Sequence, residues 1–276
     1  WTLFRSARAL ADAGSWQSAQ AWMGHAAVTT PDDHRVSERL ARGGTGQAGV
    51  QTTPFSAWID DWAFEGDDGW QSMALRASGA SFNYDLNLTA GGPLVAHGDN
   101  GLSVKSEAGQ ASHYYSQTRF QVTGTITLDN TVHEVTGQAW LDREWSSQPL
   151  EGTQTGWDWF SLSFDDGHQL MAFALREGTS RGFSSGTWIR PDGQAEPFGN
   201  GVIDLTPLGT SQVAGRDVPT RWRLEMPSRD MDVTVEALND QAWMNTLFPY
   251  GEGPVTVTGS HTGRGYLEMT GYEARQ

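Results

Sequence analysis

From position 82 the chain reads Phe82-Asn83-Tyr84-Asp85-Leu86-Asn87-Leu88-Thr89, four apolar residues in strict alternation with four polar ones. Side chains of an extended strand point alternately to its two faces, so this stretch predicts a strand with one face in a core and one in solvent. The same period recurs downstream. Phe120, Val122, Gly124, Ile126 and Leu128 alternate with Gln121, Thr123, Thr125 and Thr127. Shorter copies follow at Met171, Phe173 and Leu175, at Met231, Val233 and Val235, and at Val255 and Val257. Asp166-Gly167 and Pro191-Asp192-Gly193 carry the chemistry of tight turns between such runs. A single segment predicts a helix. Thr30 can cap it, Pro31 suits the first helical position, and Asp32 and Asp33 favour the positive end of the dipole, with Leu40 near its end before Gly43-Gly44. The pattern as a whole predicts an all-β protein of barrel or sandwich type with very little helix.

The 276 residues suffice for two domains. A division near residue 118 gives 1–118 and 119–276, with no Pro/Gly/Ser linker between them, so two closely packed domains are expected. Asp and Glu number 33 against 18 Lys and Arg, a formal charge of −15. Such a chain repels nucleic-acid phosphates, and no nucleic-acid partner is expected. No stretch approaches the run of about 20 apolar residues that a spanning helix needs. With no cysteine, disulfides, thiolate catalysis and Cys-ligated metals are excluded. Thirteen Trp and 33 Gly fit antiparallel β-structure with tight turns, and Trp in such number also suits an aromatic-lined cleft. The only lysine is Lys105.

Several motifs fail on context. Gly44-Thr45-Gly46-Gln47-Ala48-Gly49 has dinucleotide-loop spacing, but Val50 to Pro54 cannot open the helix that such a loop requires. Gly178-Thr179-Ser180-Arg181-Gly182 has nucleophile-elbow spacing, but lies between two β-runs and reads as a hairpin loop. The seven His show no metal-ligand spacing, so neither a metal nor a cofactor is expected. The acidic loop from Asp60-Asp61 to Asp67-Asp68 lacks the order of a calcium loop and reads as solvated. The sequon Asn87-Leu88-Thr89 lies inside a strand.

One constellation survives. In the extended segment Ala139-Trp140-Leu141-Asp142-Arg143-Glu144-Trp145, Trp140, Asp142 and Glu144 share a face, while Leu141, Arg143 and Trp145 take the other. Trp157-Asp158-Trp159 likewise puts two indoles on one face and a carboxylate on the opposite one. A carboxyl against indole faces has its pKa raised by desolvation and becomes a proton donor near neutral pH. The indoles can stabilise a cation formed by that protonation. The plainer alternative is a surface strand whose carboxylates pair with Arg143.

The chain resembles the AttH-like proteins and the carotenoid 1,2-hydratase (hydroxyneurosporene synthase) family. The likeness is carried by Trp22-Met23-Gly24-His25-Ala26-Ala27, Ser37-Glu38-Arg39 with Ala41-Arg42-Gly43-Gly44, Pro54-Phe55 with Trp58-Ile59-Asp60, and Tyr114-Tyr115-Ser116 ahead of Arg119. Its strongest parts are Gly137 to Trp145 and Gly156-Trp157-Asp158-Trp159-Phe160. Tyr250-Gly251-Glu252-Gly253 and Gly265 to Tyr272 complete it. The resemblance implies two lipocalin-like β-domains and a pocket for a lipophilic, isoprenoid-like or carotenoid-like molecule. By the same resemblance Asp142 is the proton donor of an acid-initiated hydration or isomerisation, with Glu144 and His25 as candidates to position or deprotonate water. Trp140, Trp145, Trp157, Asp158, Trp159, Tyr114 and Tyr115 are the candidate ligand-binding residues. Trp140 and Arg143 stand where the hydratases carry Tyr and His, which places the chain nearer the AttH-like branch of predicted secreted hydrolases. The family also implies a further strand ahead of Trp1, so the first domain is expected to lack its first strand here. A bacterial periplasm or cell envelope is the expected location. A non-catalytic lipocalin-like carrier and a secreted hydrolase are the alternative functions. Composition says nothing of oligomeric state.

Overall fold

In the computed structural model the described residues are 1–7, 17–67, 69–147, 152–178 and 180–272, with backbone only at 180 and 181. They form twenty-two β-strands and no α-helix, with a 3₁₀ turn at Pro227–Arg229. The chain divides into two compact units. One comprises residues 1–28, 35–91 and 119–139; the other comprises 29–34, 92–118 and 140–276. Each unit is thus assembled from separate segments. Both are antiparallel β-structures consistent with lipocalin-like barrel domains.

The first unit opens with β1 (Thr2–Ala7), β2 (Gln20–Thr29) and β3 (His34–Arg42), a three-stranded sheet in that order. A meander follows through β4 (Ala48–Thr52), β5 (Phe55–Ile59), β6 (Trp62–Gly66), β7 (Ser72–Ser78) and β8 (Phe82–Ala90). In β8, Phe82, Tyr84 and Leu88 are buried while Asn83, Asp85 and Asn87 are exposed, as the alternation requires. Trp22, Ala26, Ile59, Trp62, Phe82 and Tyr84 form the centre of this unit's core. In the segment 44–49, residues 44–47 lie in the loop between β3 and β4, with Gly44 and Gly46 at φ 76° and 85°, and Ala48 and Gly49 already belong to strand β4.

The helix expected from Thr30 to Leu40 does not form; residues 34–42 are strand β3. The capping signals at its start are real but serve a hairpin. The Thr30 N–H donates to the Asp33 carbonyl at 2.8 Å, and the Asp33 N–H donates to Thr30 Oγ1 at 3.0 Å. Beyond the turn the backbone pairs with the ten-residue strand β2. Such a partner satisfies the donors and acceptors that a helix would otherwise satisfy locally.

Beyond β8 come the short β9 (Leu94–Ala96) and β10 (Leu102–Val104), then the long β11 (Ala111–Leu128) and β12 (Thr131–Trp145). Asp129 and Asn130 join the two long strands with φ of 48° and 67°, the left-handed pair that a two-residue hairpin turn demands. Residues 120–128 of β11 pair with β8, while residues 111–117 carry β10 and β9.

The second unit is built on β13 (Gln154–Phe164), β14 (Gln169–Glu177), β15 (Ser180–Ile189), β16 (Ala195–Phe198), β17 (Asp204–Val213), β18 (Arg216–Met226), β19 (Met231–Ala237), β20 (Trp243–Met244), β21 (Tyr250–Gly259) and β22 (Gly263–Met269). Their order is β16-β15-β14-β13-β22-β21-β19-β18-β17, with β20 on β21. The expected turns at Asp166-Gly167 and Pro191-Asp192-Gly193 join β13 to β14 and β15 to β16. Of residues 178–182, Gly178 follows β14 and residues 180–182 already belong to β15; Thr179 and the side chains of Ser180 and Arg181 lie outside the described residues.

Strand β14 is buried on both faces, from Gln169 to Leu175. Its Leu170, Ala172 and Ala174 join Phe160, Leu162, Trp188, Leu224 and Val235 in the main core. Its Met171, Phe173 and Leu175 face the other way, and form a second apolar layer with Tyr114 and Phe183 against which Trp140, Trp157 and Trp159 pack. The candidate site lies in this second layer.

Candidate functional site

Strand alternation places Trp157 and Trp159 on the face of β13 that meets Phe173 and Leu175, and turns Asp158 to the opposite face. There Asp158, only 2% exposed, forms an ion pair with Arg176 Nη1 at 2.5 Å and accepts the Tyr272 hydroxyl at 2.9 Å. Arg176 also donates to the Thr270 carbonyl and lies over the Tyr272 ring at 4.1 Å. Burial raises the Asp158 pKa and the Arg176 charge opposes it. The unit is architectural, and Asp158 does not join the indoles beside it in sequence.

Asp142 occupies the centre of the aromatic layer. Its Oδ1 accepts hydrogen bonds from the Ser116 hydroxyl and from Trp140 Nε1 at 2.8 Å, and the Tyr114 hydroxyl bonds the same carboxyl. Tyr114 in turn accepts from Trp159 Nε1 at 3.1 Å. Burial is the largest influence on Asp142 and lifts its pKa to about 6, against the three donors that favour the charged form. The adjacent Glu144 carboxylate adds a smaller push in the same direction. Tyr114 is fully enclosed, and burial raises its pKa well above that of a free phenol.

Behind Ser116 lies a histidine that the sequence did not single out. His97 is 0% exposed; its Nε2 lies 2.7 Å from Ser116 Oγ and its Nδ1 lies 2.9 Å from Thr187 Oγ1. Burial, helped by the Lys105 charge, pushes its pKa down to about 3, so the ring is neutral. Donor counting then fixes one polarity when Asp142 is ionised. Thr187 donates to Nδ1, Nε2–H donates to Ser116, and Ser116 donates to Asp142. Gly98 makes this placement possible. At φ 66° it turns the chain just after His97, where a Cβ would stand 2.2 Å from the Leu102 carbonyl oxygen.

Glu144 lies toward the edge of the site. It accepts from Ser112 Oγ at 2.5 Å and forms an ion pair with Lys105 Nζ at 2.7 Å, rather than with Arg143. The ammonium of Lys105 also stands 4.1 Å from the Phe173 ring centroid, a resident cation on an aromatic surface.

A second carboxyl completes the layer. Trp157 Nε1 donates to Glu268 Oε1 at 2.7 Å, and β22 sets Glu268 opposite Trp159 on one side and Glu252 on the other. Burial first, and then the Glu252 charge, lift Glu268 to about 8. Glu252 is itself raised by burial. The two carboxyls nearest the indoles therefore hold protons at different pH, the arrangement from which acid and base roles are divided.

The remaining candidates lie elsewhere. Tyr115 and Trp145 point to the outer face of their strands, where Trp145, 51% exposed, makes ring contacts with Tyr115 and His113. His25 belongs to the first unit, buried against the Phe4 ring with Nε2 3.2 Å from Glu38 Oε1. Burial lowers its pKa against the opposing pull of Glu38. In the acidic loop, Asp60 and Asp61 pair with Arg39 and the Asp67 carboxylate caps the N–H groups of Gln71 and Ser72; Asp68 lies outside the described residues. Among the described residues no three His, Asp or Glu side chains gather into a metal site, and no helix is long and apolar enough to cross a membrane.

Comparison with known proteins agrees with this architecture. The crystal structure of an AttH protein from Nitrosomonas europaea superposes with a TM-score of 0.84 at 30% identity, over 98% of this chain and 86% of that one. Kievitone hydratase from Nectria haematococca shares the fold at 15% identity and a TM-score of 0.72, over 92% and 80% of the respective chains. No curated protein sequence matches the chain. The AttH-like family itself matches residues 1–272, which takes in both units and every residue of the aromatic site, and the chain belongs to that family.

Proposed function

We propose that the protein catalyses acid-initiated hydration or isomerisation of a lipophilic, isoprenoid-like small molecule, with Asp142 as the proton donor. The observation that carries this reading is a single carboxyl, lifted to about 6, held by Ser116, Trp140 and Tyr114 among tryptophan faces. The hydratase activity of the fungal relative with this fold supports the same chemical class.

In the hydration, the Asp142 carboxyl transfers its proton to the less substituted carbon of a trisubstituted alkene, leaving a tertiary cation against the indoles of Trp140, Trp157 and Trp159. Water adds to the cation, and the proton it loses returns to the Asp142 carboxylate, so the net change is addition of one water. Isomerisation follows when a neighbouring carbon loses the proton instead. At pH 7 a group titrating near 6 is about one-tenth protonated, so turnover falls as pH rises above 6.

The test is incubation of native protein and Asp142→Asn with acyclic isoprenoids bearing a terminal dimethylallyl group, in ¹⁸O-labelled water, with product mass spectrometry. Native protein is expected to yield the labelled tertiary alcohol or a double-bond isomer, and Asp142→Asn to yield neither while still retaining lipid. Undiminished turnover by the variant removes Asp142 as the acid. Equal lipid retention by both proteins, with no product from either, makes the protein a carrier.

A further inference from the structure

Trp157, whose indole donates to Glu268, is also among the residues lining an open pocket of about 420 Å³ in the second unit, with Tyr272, Phe248 and Pro249. That volume falls within the roughly 300–1,000 Å³ of small-molecule sites. Phe248 and Pro249 of its wall come from the loop between β20 and β21. In that loop Leu247 and Phe248 are 73% and 47% exposed.

Among the lining residues the one charged side chain is Arg216. Its orientation is fixed from behind. Nε donates to the Tyr272 carbonyl at 3.1 Å, Nη1 donates to the Ala214 carbonyl at 2.7 Å, and the guanidinium lies over the Trp243 ring at 4.8 Å. Among the described residues no further partner holds Nη2, and no carboxylate pairs with Arg216. Arg35, Arg39, Arg76, Arg176, Arg190, Arg223 and Arg229, by contrast, reach carboxylates. A guanidinium held by backbone carbonyls and an indole, on the wall of a pocket that also presents Trp157, Phe248, Pro249 and Tyr272, suits an anionic oxygen pair on a hydrophobic body.

We infer that this pocket binds an amphiphilic organic anion, its carboxylate on Arg216 and its apolar body along Trp157 and Phe248. The inference goes beyond the proposed function, because Asp142, Trp140, Trp159 and Tyr114 are not among the residues that line this pocket. The binding claim stands on Arg216 and the pocket alone.

The test compares all-trans-retinoic acid with retinol, two probes that share an apolar body and differ in the head group, by quenching of tryptophan fluorescence and by calorimetry. The acid is expected to bind at least about ten-fold more tightly than the alcohol. Arg216→Gln is expected to weaken the acid about ten-fold, with the alcohol changed less than two-fold, while Arg216→Lys retains part of the preference. Phe248→Asp weakens both probes. Circular dichroism and thermal melts of each variant exclude unfolding as the cause. Equal affinity of native protein for acid and alcohol overturns the inference, as does an Arg216→Gln variant, folded, that binds the acid as before. Asp142→Asn is expected to bind both probes as the native protein does. Head-group selectivity without turnover therefore refutes the hydratase reading alone, and turnover without selectivity refutes this one alone.

Discussion

Asp142→Asn should make the protein more stable at pH 8 and leave it nearly unchanged at pH 3.5. In the native state burial lifts this carboxyl from 3.8 to about 6. Below 3.8 both folded and unfolded chains carry the proton, and the site has no effect on stability. Between 3.8 and 6 the unfolded chain ionises while the native one retains its proton, so native stability falls as pH rises; above 6 the loss is complete. Two units at about 1.4 kcal/mol each set that loss at about 3 kcal/mol. Asparagine keeps an acceptor oxygen for Ser116, Trp140 and Tyr114, but a neutral acceptor holds them less strongly than a carboxylate. The net gain expected at pH 8 is about 1–3 kcal/mol, shrinking to a few tenths at pH 3.5. Urea denaturation of native protein and variant at the two pH values measures it directly. A variant no more stable than native at pH 8, or equally stabilised at both pH values, would refute the assignment of a desolvated carboxyl at this position.

Glu268→Gln should stabilise in a higher window, with its gain growing between pH 4.5 and 8 as the unfolded chain ionises while the native carboxyl keeps its proton; a pH series of melts that ends at 9 checks this. Arg176→Met leaves Asp158 charged and buried without its partner, and should cost about 3–5 kcal/mol. The double variant with Asp158→Asn should recover much of that loss in denaturant titrations. His97 should remain neutral down to about pH 4, so long-range nitrogen–proton NMR correlations should show one fixed tautomer across that range.

Much of this molecule can be read along the chain because its strands keep period two. Phe82 to Thr89 and Met231 to Val235 alternate as they do because one face of each strand meets a core and the other meets solvent. The same rule correctly separated Trp140 and Asp142 from Trp145, and Trp157 and Trp159 from Asp158. It failed at Thr30 to Leu40, where capping signals are local but the strand that competes with the helix lies in β2. It was also silent on His97, Ser116, Thr187 and Glu268. Each is an isolated polar residue with no spacing signal, and becomes part of the site only through pairings remote in sequence. Alternation in β22 could have put Glu268 on a face opposite Leu267 and Met269, but not beside Trp157. The separation of both units into interleaved segments is equally invisible to a linear reading.

The ladder between β13 and β22 also bears on how the protein comes into being. Trp157 and Glu268 meet across 111 residues of sequence, and β22 is the last strand of the described fold. Contacts that close such long loops must offset their entropic cost before they stabilise anything, and they form late. During synthesis the indoles of β13 emerge well before the strand that supplies their carboxyl partner. Until then their side chains offer an unsealed apolar surface to the nascent chain's surroundings. Chaperone demand and aggregation should therefore concentrate in that interval, and subside when residues 263–269 pair with β13.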